Sequence, residues 1–473
     1  MIGTLWEAIT DIAILAVLAR SLDVSRFGDY AFVMAFVAVF RVLCGISLPV
    51  IVTREIAVDI DKAPSILSAA LFIQIIMSVL TWLGIVVIIN VVNTNPMIIR
   101  ATYLAGLGIV FDFLSILFIS VTRGFERMEF SAYRIIIRQT IFLVILILLV
   151  QREDISLIYI FTLFLGSHFI GLLYSVVIVF RKFVKPVVRF DSKLSIYLFK
   201  QAFPVAARRF IRKLTVRIDT LLLNFLKGNV EVGLFHGAYK ILQGLMFIGD
   251  SLVISIFPVL ARYYQNGTDS LDELYDRSFR FLAVVGGFLG IILFSFAHEI
   301  IELVLGEKYM AAGNVLKIFS SLIIFMFLTK LAERMLIAGR KQLYVTLIAL
   351  ISLAVNTVFD LVLIPKMGII GASLATFFAE IILFALGLYY TYKYVSRKSV
   401  YVCILKILFI YCLAGLVVAL SASYIGNILS FLAGALFYFF GVFVFGTTRT
   451  VEYREVKEFI SKMLKRRLQF DRY

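Results

Sequence analysis

Five cations lie in one apolar stretch of the chain, residues 204–226. They are Arg208, Arg209, Arg212, Lys213 and Arg217. At 100° per residue they share one half of a helix with Asp219, and apolar side chains occupy the other half. Guanidinium groups bind phosphate oxygens through two parallel hydrogen bonds. The stretch therefore predicts a basic, hydrated helix face that can bind a phosphate-bearing ligand, with a diphosphate as the natural guest.

A second explanation of this stretch is an anchor, in which the first four of these cations reach lipid headgroups at a membrane surface. Arg217 lies too deep in the stretch for that role. A cation at the centre of a spanning helix costs about 3 kcal/mol unless water or a partner accepts it. Arg41 also falls inside an apolar run, so we add it to the candidate ligands.

The composition indicates which elements position these residues. Of the 473 residues, 62% are hydrophobic and 16% are charged, and the mean hydropathy is +1.01. These values are typical of a membrane protein with many spans. A spanning helix needs about 20 mainly apolar residues. Candidate spans lie at residues 3–19, 30–53, 66–91, 97–120, 135–150, 155–180, 204–225, 238–261, 281–305, 314–337, 343–364, 368–390, 401–421 and 427–445. We predict an all-α polytopic fold with about 14 transmembrane helices.

The distribution of basic residues predicts the orientation of these spans. Lys and Arg are more frequent in the loops on the side of the N-terminus, including Arg134 and Arg138 near the start of span five. Cytoplasmic loops retain such residues, so both termini are expected to be cytoplasmic. Residues 449–473 have apolar and basic positions at helical spacing, which predicts a basic amphipathic tail at the membrane surface. The first span is short and leaves open a start further upstream.

Motifs for catalysis, metals and cofactors are missing from the sequence. Its cysteines and histidines are Cys44, Cys403, Cys412, His168, His236 and His298. They have neither CxxC nor HExxH spacing. A Walker loop, a GxSxG motif and a dinucleotide-binding fingerprint are absent too. We therefore predict no catalytic residue, metal or cofactor. The net charge of +16 belongs to a chain of spans and loops, so we expect membrane lipids and no nucleic acid as partners.

Short sequence echoes indicate an internal repeat. FGDY at residues 27–30 returns as VGLF at 232–235, ISLPV at 46–50 as SIFPV at 255–259, and RGFER at 123–127 as AGRKQ at 338–342. Six spans separate the copies, and an even number gives parallel repeats. The alternative is chance similarity among Leu-rich and Phe-rich helices. We predict a six-helix bundle at 1–190, a second at 191–395, two further helices at 396–448 and the tail at 449–473.

Longer motifs carry a resemblance to a known superfamily. They are LARSLDVSRFGDYAF after span one, TREIA at 53–57, FPVAARRFIRKLTVRIDTLLL through span seven, VGLFHGAYKI entering span eight, LVLGEKYMAAGNVLKI between spans nine and ten, and NTVFDLVLIPKMGIIGASLAT across spans eleven and twelve. The chain resembles the MOP exporter superfamily, and within it the Wzx-type polysaccharide flippases. It departs from that pattern in its clipped N-terminus, in Phe235 where Tyr is usual and in its unusually cationic span seven.

The resemblance implies a flippase rather than an enzyme. Its cargo would be an isoprenoid diphosphate-linked oligosaccharide, carried from the cytoplasmic to the outer leaflet of the cell membrane by alternating access. A polysaccharide polymerase and glycosyltransferases are the protein partners that such a role suggests. The alternatives are a lipid-II flippase, a cation-coupled multidrug exporter and, from another class, a membrane-bound polymerase or ligase. An exporter fits less well because a basic cavity repels cationic drugs.

Three aspartates inside apolar runs are expected to form ion pairs that hold one access state. They are Asp219, Asp112 and Asp250. Asp219 corresponds to the acidic residue of the RID motif in similar flippases, and we expect it to pair with Arg217 or with a cation of the first bundle. A purely structural ion pair is the alternative.

Overall fold

The computed structural model describes residues 2–151, 155–184, 191–266, 268–339, 341–396 and 400–444. Throughout these ranges the chain forms helices joined by short connections. The helices are α1 (Ile2–Ser21), α2 (Val24–Gly45), α3 (Leu48–Val58), α4 (Ala63–Val92), α5 (Pro96–Gly124), α6 (Glu129–Val150), α7 (Leu157–Lys182), α8 (Ser192–Lys227), α9 (Asn229–Asn266), α10 (Thr268–Ser295), α11 (Ala297–Leu305), α12 (Ala312–Ala338), α13 (Gln342–Met367), α14 (Ile369–Tyr394) and α15 (Tyr401–Val444). The predicted all-α fold class is confirmed.

By length and composition, 12 helical segments in the described residues can cross a membrane. They coincide with twelve of the fourteen predicted spans. The other two predicted spans, the first and the seventh, are the helices α1 and α8, which are not among the twelve. In α8 the reason is the cation cluster, which interrupts the apolar run. The protein is therefore a multi-span membrane protein.

The second predicted span is broken inside the membrane segment. Ile46 and Ser47 separate α2 from α3 with φ of 38° and 56°, and Pro49 lies in the first turn of α3. The break leaves the Cys44 carbonyl without a helical partner, and the Gln74 side chain of α4 donates a hydrogen bond to it at 2.8 Å. A buried carbonyl without a donor costs free energy, so Gln74 makes the break tolerable.

The last two predicted spans are two helical segments of α15 that meet at a kink. Gly426 interrupts α15 with φ of 77°, a conformation that glycine adopts without a steric penalty. Segments 401–422 and 426–444 on either side are each long enough to span a membrane. The predicted boundary between spans thirteen and fourteen therefore falls at this residue.

Two compact units account for the helices. The first comprises Met1–Gly244, His298–Val315 and Ala349–Ala379, and the second comprises Leu245–Ala297, Leu316–Ile348 and Glu380–Tyr473. In the first unit, buried apolar residues of α3, α4, α5, α7 and α8 form one core cluster, and those of α2, α4, α5 and α7 form another. The division into bundles at 1–190 and 191–395, with two further helices at 396–448, remains a prediction, and the predicted tail at 449–473 lies outside the described residues.

Candidate functional site

A cavity of about 240 Å³ lies within the first unit. Its ionisable lining residues are Glu7, Asp11, Arg41, Arg138, His168, His236 and Lys240. They come from α1, α2, α6, α7 and α9, and the rest of the wall is mostly aliphatic and aromatic. A polar cavity among apolar helices is the usual form of a binding site for a charged cargo.

Asp112 on α5 is the buried centre of a charge network beside this cavity. Its Oδ2 accepts a hydrogen bond from Arg41 Nη2 at 2.5 Å, and its Oδ1 accepts one from Arg134 Nη1 at 3.0 Å. The side chain of Arg134 is 7% exposed, whereas that of Arg41 is 43% exposed. Arg134 thus neutralises Asp112 from inside the protein, and Arg41 presents part of its guanidinium to the cavity.

A glycine brings Arg41 close to Asp112. A Cβ on Gly45, at the end of α2, would overlap the ring of Phe113 on α5. Only a residue without a side chain allows the two helices to approach so closely. The Arg41 guanidinium also lies over that ring, with its Cζ 5.6 Å from the centroid, which favours its position. The sequence of α2 therefore fixes where this cation meets the cavity.

Arg138 on α6 is the second guanidinium of the cavity wall. Its Nη2 donates a hydrogen bond to Glu7 Oε1 at 3.3 Å, and its Nη1 lies 3.3 Å from His168 Nε2. Because His168 Nδ1 donates to the Phe164 carbonyl at 2.8 Å, Nε2 is the acceptor and the imidazole is neutral. The Nε–H of Arg138 is buried and has no hydrogen-bond partner among the described residues.

The charges at the cavity favour an anion slightly. The cations at or directly behind the wall are Arg41, Arg134, Arg138 and Lys240, and the carboxylates are Glu7, Asp11 and Asp112. Asp11 accepts a hydrogen bond from Gln139 Nε2 at 2.9 Å, so a neighbouring side chain partly satisfies its carboxylate. The arrangement can hold a phosphate group on guanidinium forks and sugar hydroxyls on carboxylates and amides.

A second polar cluster in the first unit contains two buried carboxylates. Asp219 Oδ2 accepts a hydrogen bond from Thr376 Oγ1 at 2.9 Å. Asp360 and Asn356 lie beside the Asp219 carboxyl group. Asp219 Oδ1 and both oxygens of Asp360 are buried without a donor among the described side chains. Two carboxylates cannot share such a site unless a proton or a cation lies between them.

The connection between α13 and α14 positions this cluster. Gly368 turns the chain with φ of 56°, and Glu231 Oε2 accepts a hydrogen bond from the Ile369 N–H at 2.8 Å, which caps α14. A Cβ on Gly371 would overlap the Leu363 carbonyl group. Glycine at that position therefore brings α14, with Thr376, against α13, with Asn356 and Asp360. The motif IPKMGIIG thus positions the cluster through the turn at Gly368 and the close packing at Gly371.

The predicted ion pairs have different outcomes. Asp112 pairs with two arginines of the same unit, and Asp250 pairs with Lys330 at 2.8 Å in the second unit. The Asp219 carboxyl group accepts from Thr376, and its predicted partner Arg217 has a side chain outside the described ones. Whether these pairs hold an access state remains a prediction.

The predicted basic face of span seven falls on residues whose backbone is helical in α8. The side chains of Arg208, Arg209, Arg212, Lys213 and Arg217 lie outside the described part of the structure. Their role as ligands remains a prediction. Arg41, the sixth predicted ligand, lines the cavity.

Sequence reasoning missed the two arginines of α6. The assignment of Arg134 and Arg138 to a cytoplasmic loop is wrong, because α6 begins at Glu129 and both side chains are largely buried. The carboxylates of Asp112 and Glu7 compensate their charges. Their spacing of four residues, just ahead of an apolar run, was the available signal.

Comparison with known proteins agrees with this architecture. Residues 1–264 match the family model described as polysaccharide biosynthesis protein, and residues 204–362 match the MatE model. An uncharacterized membrane protein of Methanocaldococcus jannaschii is 24% identical over 294 residues, 61% of this chain and 58% of that one. The probable low-salt glycan biosynthesis flippase Agl15 of Haloferax volcanii is 25% identical over 187 residues, 39% of either chain. The chain thus spans about half the length of these relatives.

A solved structure of the lipid II flippase MurJ, in an inward closed conformation, has the same fold. Its TM-score is 0.74 at 16% identity, over 96% of this chain and 98% of the other. This likeness concerns the fold, which agrees with the helices described above. Because the first family model covers more than half of the 473 residues, the chain belongs to the polysaccharide biosynthesis protein family, as its membrane helices and polar cavity suggest.

Proposed function

We propose that the protein is a flippase for oligosaccharides linked to an isoprenoid diphosphate. The cavity of the first unit carries the proposal, because it places Arg41 and Arg138 at the wall of a polar space inside a multi-span membrane protein. A diphosphate is the strongest anion in such a cargo, and guanidinium is its preferred ligand. The family assignment and the relative described as a glycan biosynthesis flippase support the same cargo.

The geometry suggests how the diphosphate binds. Arg41 is half-exposed and shares Asp112 with Arg134, so it can turn toward a phosphate oxygen while Arg134 continues to neutralise the carboxylate. Arg138, whose side chain is 12% exposed, contributes a second guanidinium group at the cavity wall. The predicted cations of α8 would add to this site. When Arg41 exchanges the Asp112 carboxylate for a phosphate, Asp112 still pairs with Arg134. No buried charge is left without a partner, so the desolvation cost of binding stays low.

The proposal also includes the direction of transport and the membrane in which the protein lies. The cargo enters from the cytoplasmic leaflet of the cell membrane and leaves in the outer leaflet. Both termini are cytoplasmic, since Lys and Arg are more frequent in the loops on the side of the N-terminus, and cytoplasmic loops retain such residues. A polymerase that consumes the delivered units and the glycosyltransferases that build them are the expected protein partners. The protein itself carries out no covalent step.

Transport of defined lipids into the opposite leaflet of proteoliposomes tests the proposal. The samples should contain an isoprenoid diphosphate-linked oligosaccharide, lipid II or a cationic drug, with chain elongation scored in the same samples. We expect movement of the oligosaccharide lipid without elongation. Preferred movement of lipid II or of the drug identifies a different cargo, and elongation without movement identifies a polymerase or ligase.

We propose that the Asp219 and Asp360 cluster binds a small monovalent cation that is coupled to transport. Asp219, Asp360, Asn356 and Thr376 offer only oxygen ligands apart from the amide nitrogen, which suits a hard cation. Three carboxylate oxygens without a donor among the described side chains fit such an ion. The bound ion would neutralise the two carboxylates and allow them to stay buried.

Thermal unfolding in detergent tests this site without any transport. Sodium is expected to raise the midpoint of the wild-type protein relative to choline at equal ionic strength, and Asp360→Asn should abolish the difference. Asp59→Asn is the matched control, since Asp59 lies outside the membrane-spanning segments and pairs with Lys62. An equal midpoint in sodium and choline would assign the neutralising charge to a proton or to Arg217.

A further inference from the structure

Tyrosines and lysines gather in the second unit where α13 begins and α14 ends. The centroid of the Tyr344 ring on α13 lies 4.7 Å from that of Tyr390 and 4.6 Å from that of Tyr394, both on α14. Tyr390 and Tyr394 are four residues apart, so they share one face of their helix. We refer to these three rings, together with Lys341 and Lys393, as the tyrosine–lysine cluster.

Two ammonium groups lie around one ring of this cluster. The Nζ of Lys341 lies over the Tyr394 ring, 5.1 Å from its centroid, and the Nζ of Lys393 lies 5.3 Å from the same centroid. The Nζ of Lys393 is also 5.7 Å from the centroid of Tyr389. An aromatic ring attracts an ammonium group without neutralising it. Each lysine therefore keeps its charge at a defined place.

The positive charge of the cluster is not compensated within the part of the chain that the structure describes. Its ion pairs involve other cations, and neither Lys341 nor Lys393 meets a carboxylate there. Lys62, by contrast, pairs with Asp59 at 2.7 Å. Two like charges around one ring repel each other unless an anion lies close to both. The cluster is therefore suited to a bound anion.

The ends of α12 and α14 fix the position of the cluster. The Lys341 N–H donates a hydrogen bond to the Leu336 carbonyl at 2.7 Å, across the turn that follows α12. A Cβ on Gly339 in this turn would lie 2.6 Å from the side chain of Val395, the residue that follows α14. Glycine at this position lets the turn pack against the end of α14. The two lysines thus come together through the packing of helix ends.

Apolar surface adjoins the cluster. Leu343 and Leu347, one turn apart on α13, are 80% and 41% exposed, and Tyr389 on α14 is 48% exposed. They belong to segments 342–367 and 369–394, each of which can cross a membrane. The cluster lies at the ends of these segments, which is the level of lipid headgroups and of the aromatic belt in membrane proteins. This surface offers charge to a headgroup and apolar area to acyl chains.

We propose that the tyrosine–lysine cluster binds the phosphate group of an anionic phospholipid, whose acyl chains lie along Leu343 and Leu347. A soluble phosphate would meet the lysines alone, whereas a lipid also covers the leucines. A zwitterionic lipid carries its own cation beside the phosphate, so two lysines attract it less. In the orientation proposed above, the lipid belongs to the cytoplasmic leaflet. The site lies apart from the cavity of the first unit and does not depend on the cargo.

Competition binding in a neutral detergent tests this site. The purified full chain binds fluorescent phosphatidylglycerol, and unlabelled phosphatidylglycerol, phosphatidylcholine or inorganic phosphate is then added at equal concentration. We expect displacement by phosphatidylglycerol alone. The combined change Lys341→Gln and Lys393→Gln should weaken the binding about thirtyfold. Added salt should weaken the binding of the wild-type protein, because it screens exposed charges.

Matched variants separate this site from a general attraction of lysines to lipid. Lys62→Gln is the control, since Lys62 is an exposed lysine on the same predicted side of the membrane and already pairs with Asp59. It should leave the affinity unchanged. Tyr394→Leu should weaken the binding about fivefold although both lysines remain, and Tyr394→Phe should not, because it keeps the ring.

Three results would overturn the proposal. The first is equal affinity in Lys62→Gln and in the combined lysine variant, with gel filtration showing that both are folded. The second is displacement by phosphatidylcholine as complete as by phosphatidylglycerol. The third is equal displacement by inorganic phosphate, which would assign the cluster to a soluble anion. Each result stands whether or not the protein transports the proposed cargo.

Discussion

At the scale of single residues, exposure separates cations with similar partners into two roles. Arg41 and Arg134 both pair with Asp112, but Arg41 is partly exposed to the cavity and Arg134 is buried behind it. A half-exposed guanidinium can exchange its carboxylate for a ligand, whereas a buried one cannot leave without stranding a charge. We therefore expect Arg41 to act in ligand binding and Arg134 to act in the stability of the fold.

Removal of Arg41 or Arg138 is expected to reduce binding of the cargo, and Arg41→Ala should leave the protein folded because Arg41 is partly exposed. A hydrogen bond between charged groups contributes about 1.5–3 kcal/mol, so Ala at either position should weaken the affinity about 10- to 100-fold. Lys should restore part of the loss, because it keeps the charge without the guanidinium fork. The combined change Arg212→Ala and Arg217→Ala should abolish transport as well.

Binding of a lipid-linked diphosphate to the purified variants checks this prediction. Arg100→Ala is the control, since Arg100 is exposed in the first turns of α5 and does not line the cavity. Unchanged affinity in both Arg41→Ala and Arg138→Ala would place the phosphate elsewhere. If the change of Arg212 and Arg217 alone has no effect, the basic face of α8 is a headgroup anchor.

Arg134→Ala should instead destabilise the protein. It removes the buried partner of Asp112 and leaves that carboxylate dependent on Arg41 alone, which costs about 3–5 kcal/mol for a buried pair. The unfolding midpoint in detergent should fall well below that of Arg41→Ala. The combined change Arg134→Ala and Asp112→Ala should recover part of the loss because the stranded charge is gone. Equal midpoints for Arg134→Ala and Arg41→Ala would contradict the two roles.

At the scale of helices, the apolar pattern predicted which segments form spans, but it misplaced the start of span five. Each of the fourteen predicted spans falls on one or two helices, because long apolar runs are a strong signal for membrane helices. The boundary of span five failed because charged residues were assigned to loops, although Arg134 and Arg138 are helical and compensated. Such compensation depends on partners distant in sequence, which a local pattern does not contain.

Tyr438 packs the second segment of α15 against α10 in the second unit. Tyr438 is fully buried, its hydroxyl lies 3.2 Å from the Val284 carbonyl oxygen of α10, and a Cβ on Gly287 would overlap its ring. Tyr438→Ala should therefore lower the free energy of unfolding by about 3–5 kcal/mol, and Tyr438→Phe by about 1 kcal/mol.

The unfolding midpoint in detergent, measured beside Phe443→Ala, checks this contact. Phe443 lies on the same helix with 78% of its surface exposed, so its removal should have little effect. A midpoint of Tyr438→Ala equal to that of Phe443→Ala would mean that α15 is held by other contacts.

At the scale of the whole molecule, the family could be predicted from the sequence. Of the predicted ligands, Arg41 is the one that lines the cavity in the described residues, and the second polar cluster was only partly predictable. Asp219 was recognised as an ionisable residue within a span, but nothing in the sequence indicates that Asp360 approaches it. That approach depends on the turn at Gly368 and the close packing at Gly371.

Orientation in the membrane is the prediction that concerns the entire chain. A cysteine at Asn95 should react with an impermeant reagent added outside intact cells, and one at Lys193 should react only after permeabilisation. Asn95 lies between α4 and α5, and Lys193 lies in the first turn of α8. The opposite pattern of labelling would reverse the direction of transport proposed here.

The two halves of the chain also carry one ion pair in opposite polarity. Arg41 on α2 meets Asp112 on α5, whereas Asp250 on α9 meets Lys330 on α12, and the predicted repeat makes α9 and α12 the counterparts of α2 and α5. A homodimer of either half would therefore contain two copies of one charge arrangement and none of the other.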